Sequence, residues 1–486
     1  MKLRFHNQLS KGIDTFAPID PERIGLYTCG PTVYAEPTVG NWASYIYWDV
    51  LVRVLMANGY QVSRVMNITD VGHLVSDDDE GEDKLEKGAR RESKTAWEVA
   101  QQYLDSFMAG MKQLNLITPQ HMPRATEYIP QQLALVRALQ DGGHTYQISD
   151  GIYFDTATFP SYGDFAGLDI AAQKAGARVE FNPEKRNPSD FALWKFTAPG
   201  EHRDMEWITP AALTDDGATP MGFPGWHLEC SAMAMSLLGD TIDIHTGGID
   251  HIPIHHTNEI AQSESVTGKP LAHYWLHTNH LKIDGAKISK SLGNGYTLQD
   301  LIDKDYSPLD LRMLVLQSHY RTEGNFTFAA LDAARQRRLH WRNIAALRHQ
   351  IHDTLQSDAQ VEETSKTVSL YAANQALLKA LNDDLDTPTA LTLVDEAFTH
   401  IGARALKDIH GHALRSFLET IDELLGLDLL HSSPDITDEL KQTLVARARA
   451  RHQKEYTKSD ELRDELAEHG IIVRDTPTGQ VWEYAA

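Results

Sequence analysis

His255 and Glu259 stand four residues apart in His255-His256-Thr257-Asn258-Glu259, and on a helix that spacing projects both side chains from one face. An imidazole nitrogen and a carboxylate oxygen so placed suit two ligands on one metal ion. A solvated ion pair on a helix surface presents the same spacing. The cysteines add weight to the first alternative. Only Cys29 and Cys230 occur in 486 residues, and each falls where a strand hands over to a helix or the reverse. Two cysteines build no disulfide framework, and a single bridge is disfavoured in a reducing compartment, so buried thiols or metal ligation remain. Two thiolates, one imidazole and one carboxylate would complete a tetrahedral zinc site assembled from three remote segments.

Bringing residues 29, 230, 255 and 259 together requires a scaffold, and the sequence pattern predicts one. Arg23 to Cys29 reads as a strand, Gly30-Pro31-Thr32 as a turn, Asn41 to Ala57 as an apolar helix ended by Asn58-Gly59, and Gln61 to Ile68 as a second strand. This is the βαβ unit of a parallel sheet. The helix starts at Thr38-Val39-Gly40-Asn41, where free backbone N–H groups and the positive end of the helix dipole suit a phosphate, though a plain glycine-containing entry turn looks the same. A third helix pattern, from Lys94 to Leu116, carries an apolar stripe and reads as core. The sheet is expected to resume at Gly222 to Cys230, with a short helix to Leu238. A buried strand, Thr241 to Ile244, follows, its end marked by His245 to Gly248. Then come the helix with His255 and Glu259, and a strand around Tyr274 to Ile283. The expected class is therefore α/β, a doubly wound parallel sheet with a cleft between its two halves.

Composition sets the outer bounds. The length predicts two to four domains. No apolar run approaches a membrane span and Met1 to His6 opens no signal peptide, so a cytoplasmic protein with no membrane partner is expected. A formal net charge of −23 argues against coating nucleic acid by bulk electrostatics but leaves room for local basic strips. Arg335, Arg337, Arg338 and Arg342 form one such strip, and Arg447, Arg451 and Lys454 another, in a tail that reads as nearly all helix from Pro308 onward. Such strips suit a localised polyanion or a solvated helix face. A dense acidic run, Ser76 to Asp83, reads as an exposed loop or a flap over a site.

Taken together, several segments in order resemble the class I aminoacyl-tRNA synthetases, and specifically the cysteinyl-tRNA synthetase family: Leu26 to Tyr34, Gly225 to Met233, His245 to Glu259, Lys287 to Asn294, and a tail reaching Trp482. The resemblance implies a Rossmann-like catalytic domain in two halves, residues 1–117 and 222–282, split by an inserted connective subdomain, 118–221. Residues 283–325 would carry the lysine loop and a stem-contact region, 326–430 a helical bundle, and 431–486 a small anticodon-binding domain. A monomer is expected.

The resemblance implies one zinc per chain on Cys29, Cys230, His255 and Glu259, with the substrate cysteine binding it through its own sulfur. A free thiol has a pKa of about 8.5 and zinc favours its deprotonated form, so one bond separates cysteine from serine. Thr69 and Trp226 match positions lining the cysteine pocket, and His227, His245 and His256 would orient the ligands. Gly247, Gly248 and Asp250 match the adenosine-binding stretch. Lys287-Ile288-Ser289-Lys290-Ser291 resembles the family's lysine loop with Ile in place of Met, so Lys287 and Lys290 would stabilise charge on ATP, carried with Mg2+, as the cysteine carboxylate attacks the α-phosphate. Asn41 and Gly40 survive from a signature that ordinarily begins with histidine, where this chain has Thr38. Losing one preorganised donor costs on the order of 2–4 kcal/mol, which Thr38 is expected to offset. Arg451, Asp460 and Asp475 fall at positions that read the anticodon.

The implied activity is ATP-dependent formation of cysteinyl adenylate and transfer to the 3′-terminal ribose of cysteine tRNA. Two rivals share parts of the site. One is the ligase joining cysteine to an amino-sugar in mycothiol synthesis, a family without the anticodon-binding tail. The other is a non-catalytic paralogue that binds cysteine or tRNA.

Overall fold

The computed structural model describes residues 2–72, 84–168, 182–288, 293–351, 368–477 and 479–485. The chain divides into two compact units, Lys2–Leu301 with Tyr320–Gly324, and Ile302–His319 with Asn325–Ala486.

The first unit is built on a four-stranded parallel sheet of β1 (Arg23–Thr28), β2 (Gln61–Met66), β3 (Ile242–Gly248) and β4 (Ala272–Thr278), in spatial order β4-β3-β1-β2. The order reverses between β3 and β1, so the two halves of the chain meet there, and the crevice at the carboxyl ends of those strands is where α/β sheets bind ligands. Helix α1 (Val39–Ala57) connects β1 to β2. It is apolar on nearly every side and is buried accordingly, with Trp42 stacked on Phe107 at 5.1 Å. Its one buried acid, Asp49, is held by Arg53 at 2.6 Å and by the Ile117 amide at 2.7 Å.

An antiparallel five-stranded sheet is inserted between the halves, and here the structure departs from the sequence pattern. Met221–Pro224 pairs antiparallel with Phe191–Phe196 in the inserted sheet rather than resuming the parallel one. Helix α2 (Trp226–Leu238) starts immediately after Gly225. The stretch read as a strand through Cys230 is therefore mostly helix, and Cys230 lies within it. A short apolar run buried all round looks alike in both states.

Two further differences bear on the site. Ile252–His256 forms a π-helical turn leading into α3 (Thr257–Thr267), so His255 and Glu259 belong to different helical forms. Pro253, lacking an N–H, sits at the start of that turn, where no intrahelical donor is needed. The stretch Tyr274 to Ile283 breaks into β4 and a separate short strand, Leu281–Ile283, outside the parallel sheet.

The second unit is helical. Phe328–Ala346, Val368–Leu381, Thr387–Gly402 and Gly411–Leu425 are its longer helices, followed by α4 (Asp438–His452), α5 (Tyr456–Glu468) and a hairpin of Ile471–Thr476 with Gly479–Tyr484. Neither expected basic strip is an open stripe. Arg338 is buried against Asp310 at 2.6 Å, Arg337 pairs with Asp395, and Arg342 donates to the Ser432 carbonyl at 2.6 Å. Arg447 is buried with its guanidinium bidentate on Asp475, both bonds 3.0 Å. These arginines hold helices and hairpin together, a use that sequence spacing alone cannot separate from polyanion binding. Among the described residues no helix is long and apolar enough to cross a membrane.

Candidate metal centre and active site

Cys29 follows β1, and its amide donates to the Thr246 carbonyl of β3 at 3.0 Å, which places its sulfur at the crossover point of the sheet. Cys230 comes from α2, His255 from the π-turn and Glu259 from α3. The four potential ligand atoms lie within 4.8 Å of one another. Cys29 and Glu259 also form such a group with His245 and His256. Hydrogen bonding runs through both sets. His255 has Nδ1 on His227 Nδ1 at 2.9 Å, leaving Nε2 aimed at Glu259 Oε1, 2.8 Å away. His256 has Nδ1 on His277 at 2.8 Å and Nε2 on Cys29 Sγ at 3.4 Å, so both its nitrogens serve neighbours. His245 Nε2 sits 2.7 Å from Glu259 Oε2 and stacks on Trp275 at 4.4 Å. What distinguishes the first set is its donors, since it brings both thiols together; His245 and His256 then stand against Glu259 and Cys29, where they would orient them.

The electrostatics fit that division. The hydrogen bond from the Cys29 thiol lowers Cys230 to about 6, against burial and Glu259, which raise it, and with help from His255. Burial pushes Cys29 well above the ordinary thiol value, reinforced by its bond to Cys230 and by Glu259. Burial pulls His255 down, but Glu259 and Cys230 outweigh it and raise the imidazole to about 10. Burial favours the neutral acid at Glu259, yet His245 and His255 hold it well below the usual carboxylate range. Without metal the cluster carries one thiolate, one carboxylate and an imidazolium between them. Two soft sulfurs, a nitrogen and a carboxylate oxygen converging this closely, all buried, are the donor set that zinc takes.

The other expected residues surround this cluster or stand apart from it. Trp226 packs against His255 with the rings tilted and their centroids 5.0 Å apart. Thr69 is buried and its hydroxyl accepts from Asn67 Nδ2 at 3.0 Å. Gly247 is packed so tightly that a Cβ there would lie 2.5 Å from His251 Nδ1 and 2.7 Å from His256 Cε1. Gly248 precedes Asp250, whose side chain is exposed beyond the end of β3. At the start of α1, Thr38 donates to Asn41 Oδ1 from both its amide, at 2.9 Å, and its hydroxyl, at 2.8 Å. Lys287 is exposed, and the neighbouring Ile288 packs toward Gly40, where a Cβ would meet it at 2.6 Å. Lys290, like the acidic loop at 76–83, lies outside the described residues. In the second unit, Arg451 and Asp475 meet at 3.3 Å, whereas Asp460 pairs with Arg463 on the exposed side of α5.

Sequence reasoning missed Trp275, His251 and His277. The signal was the run of histidines and tryptophan at corresponding ends of two strands, which register brings together: His245 opposite Trp275 and Gly247 opposite His277.

Comparison with known proteins gives matches along nearly the whole chain. Residues 15–336 match the class I (C) tRNA synthetase catalytic domain, and residues 433–482 the cysteinyl-tRNA ligase anticodon binding domain. A cysteine–tRNA ligase of Treponema denticola is 38% identical, covering 99% of this chain and 100% of its own length. One from Chlorobaculum tepidum is 40% identical, covering 99% and 98%. Among solved structures, a LeuRS–tRNA–LeuAMS complex from Agrobacterium radiobacter superposes with a TM-score of 0.59 at 12% identity, over 87% of this chain and 86% of that one. Mycobacterium tuberculosis methionyl-tRNA synthetase with methionyl-adenylate gives 0.56 at 14%, over 85% and 90%. At such identities these two show the fold alone.

Proposed function

This chain belongs to the cysteine–tRNA ligase family of class I aminoacyl-tRNA synthetases, and from that premise we propose that it activates L-cysteine with ATP as cysteinyl adenylate and transfers it to the terminal ribose of cysteine tRNA. The observation that carries the proposal is the convergence of Cys29, Cys230, His255 and Glu259 at the crossover of the parallel sheet.

Those four residues would hold zinc, which supplies a Lewis acid that takes a thiol as thiolate and offers little to a hydroxyl or methyl group. Around it the chain's own groups do the remaining work. Trp226 and Thr69 wall the amino-acid pocket, so the discriminating contact is made away from bulk water. Gly247 and Gly248 let backbone approach the adenosine, and Asp250 accepts from its ribose hydroxyls. The N-terminus of α1 at Gly40 and Asn41 receives phosphate through backbone N–H groups and the helix dipole. Lys287, with Lys290, balances the charge that develops as pyrophosphate departs. Because a carboxylate is the nucleophile and is ionised at neutral pH, no general base is required. Orientation and positive charge account for the acceleration. Arg451, Asp460 and Asp475 recognise the anticodon. For Asp475 the pairing with Arg447 and Arg451 fixes how its carboxylate is presented.

The test is charging of a tRNA transcript bearing the GCA anticodon, with serine as competitor, alongside elemental analysis of the purified protein. Cysteinyl-tRNA without seryl-tRNA, one zinc per chain, and loss of both in Cys230→Ser are expected. Transfer of cysteine to an amino-sugar with no tRNA charging, or cysteine binding with no pyrophosphate exchange, would replace this function with one of its rivals.

A further inference from the structure

We propose that His277 is a positioning residue that fixes the ring tautomer of His256 and through it an N–H···S hydrogen bond on the Cys29 thiolate. The inference rests on Cys29 being a metal ligand, as argued above, and extends that reading to a residue on a different strand.

The argument is one of donor counting. His256 is fully buried, with Nε2 3.4 Å from Cys29 Sγ and Nδ1 2.8 Å from His277 Nε2. A neutral imidazole has one N–H and one lone pair, so the direction of either bond dictates the other. A metal-bound thiolate offers only lone pairs. His256 must then donate from Nε2, its Nδ1 becomes an acceptor, and the partner at position 277 must present an N–H. His277 meets that need with Nε2–H.

The ring of His256 has little freedom to find another arrangement. It packs 4.5 Å from the His245 ring and 5.0 Å from Trp275, centroid to centroid, and it lies over Gly247, where even a Cβ would collide with it. Register places His277 directly across from that glycine on β4. The strand pairing that forms the sheet thus delivers the tautomer lock. An apolar residue at 277 would leave the His256 proton free to move to Nδ1, turning a lone pair toward the sulfur. An N–H on a ligating thiolate draws charge from it and leaves the metal a stronger acceptor for the substrate's sulfur.

The tautomer can be read directly in zinc-loaded protein labelled with 15N-histidine, where two-bond nitrogen–carbon-proton correlations distinguish Nε2–H from Nδ1–H. The same protein is titrated against a chromophoric zinc chelator. Wild type should show His256 as Nε2–H. His277→Phe should lose that signature and bind zinc about 10-fold or more weakly, while His277→Gln, which can still donate, should stay within about 3-fold of wild type. An Nδ1–H tautomer in zinc-loaded wild type overturns the inference without recourse to any variant. So does wild-type affinity in His277→Phe, and so does an equal loss in the Gln and Phe variants, which would mark packing rather than donation. A wild-type chain that takes up no zinc overturns the metal reading itself, and this assignment with it.

Discussion

The four candidate ligands begin from different protonation states, and that difference is measurable. At neutral pH Cys29 keeps its proton, His255 is an imidazolium with its pKa raised to about 10, and Cys230, lowered to about 6, is already a thiolate. Glu259 is ionised throughout. Zinc requires all four unprotonated, so binding expels one proton from Cys29 and one from His255. Between about pH 6.5 and 9 the logarithm of zinc affinity should therefore rise with a slope of about 2 per pH unit, steepening toward about 3 below pH 6 as Cys230 takes up a proton as well. Calorimetry in buffers of different ionisation enthalpy counts these protons, and a slope near 3 across the range from about pH 6.5 to 9 would show that Cys230 is not preset as a thiolate. At this scale the ligand types were legible in the sequence because cysteine is so scarce and His255-x-x-x-Glu259 so regular. The orienting shell was only half legible. His245 and His256 lie beside the motif, whereas His277 and Trp275 are reached by strand register, which local sequence does not state.

Among the elements, α1 and the segment carrying Lys287 meet where Ile288 packs toward Gly40. Ile288 lies where a Cβ on Gly40 would have to go, at 2.6 Å. Alanine is the better helix former by up to about 1 kcal/mol, so Gly40→Ala should leave thermal stability unchanged or slightly raised. It should nonetheless push the lysine loop outward and lower cysteine-dependent ATP–pyrophosphate exchange on the order of 10–100-fold, the cost of misplacing a charged group by about an ångström. Adding Ile288→Ala should restore part of the rate; a double variant no better than the single would show that Gly40 acts otherwise. The helix α1 and strands β1 and β2 were legible from apolar runs punctuated by Asn58-Gly59. The strand expected through Cys230 was not, because burial on every side erases the periodicity that separates strand from helix. The π-turn carrying His255 was illegible for a similar reason, since it changes the hydrogen-bond ladder without changing the i, i+4 spacing.

Across the whole molecule, the residues proposed for activation and those proposed for tRNA recognition belong to separate compact units. Arg447, 1% exposed, holds Asp475 from beneath the C-terminal hairpin and donates from Nη1 to Gln480 Oε1 at 2.9 Å. Arg447→Met keeps the buried stem and removes the charge. It should destabilise the tail by about 1–3 kcal/mol, less than breaking a fully buried pair, because Asp475 is a third exposed and keeps Arg451. Pyrophosphate exchange, which needs no tRNA, should be unaffected while charging falls at least about 10-fold; equal loss of both would place the damage in the catalytic unit. The arginine strips show why tail chemistry was the least legible part: their partners, Asp310, Asp395 and Asp475, are remote in sequence. The parallel sheet has a further consequence, one that concerns time. It brings Cys29 and Cys230 together from roughly two hundred positions apart, so no local segment can grip the ion before the strands have assembled, and such long-range closures come late in folding. An interaction absent from the transition state acts on escape from the native state alone. If the site holds zinc as proposed, chelation should therefore hasten unfolding in denaturant jumps and leave the refolding rate as it was, the ion acting as a latch that closes on a finished fold.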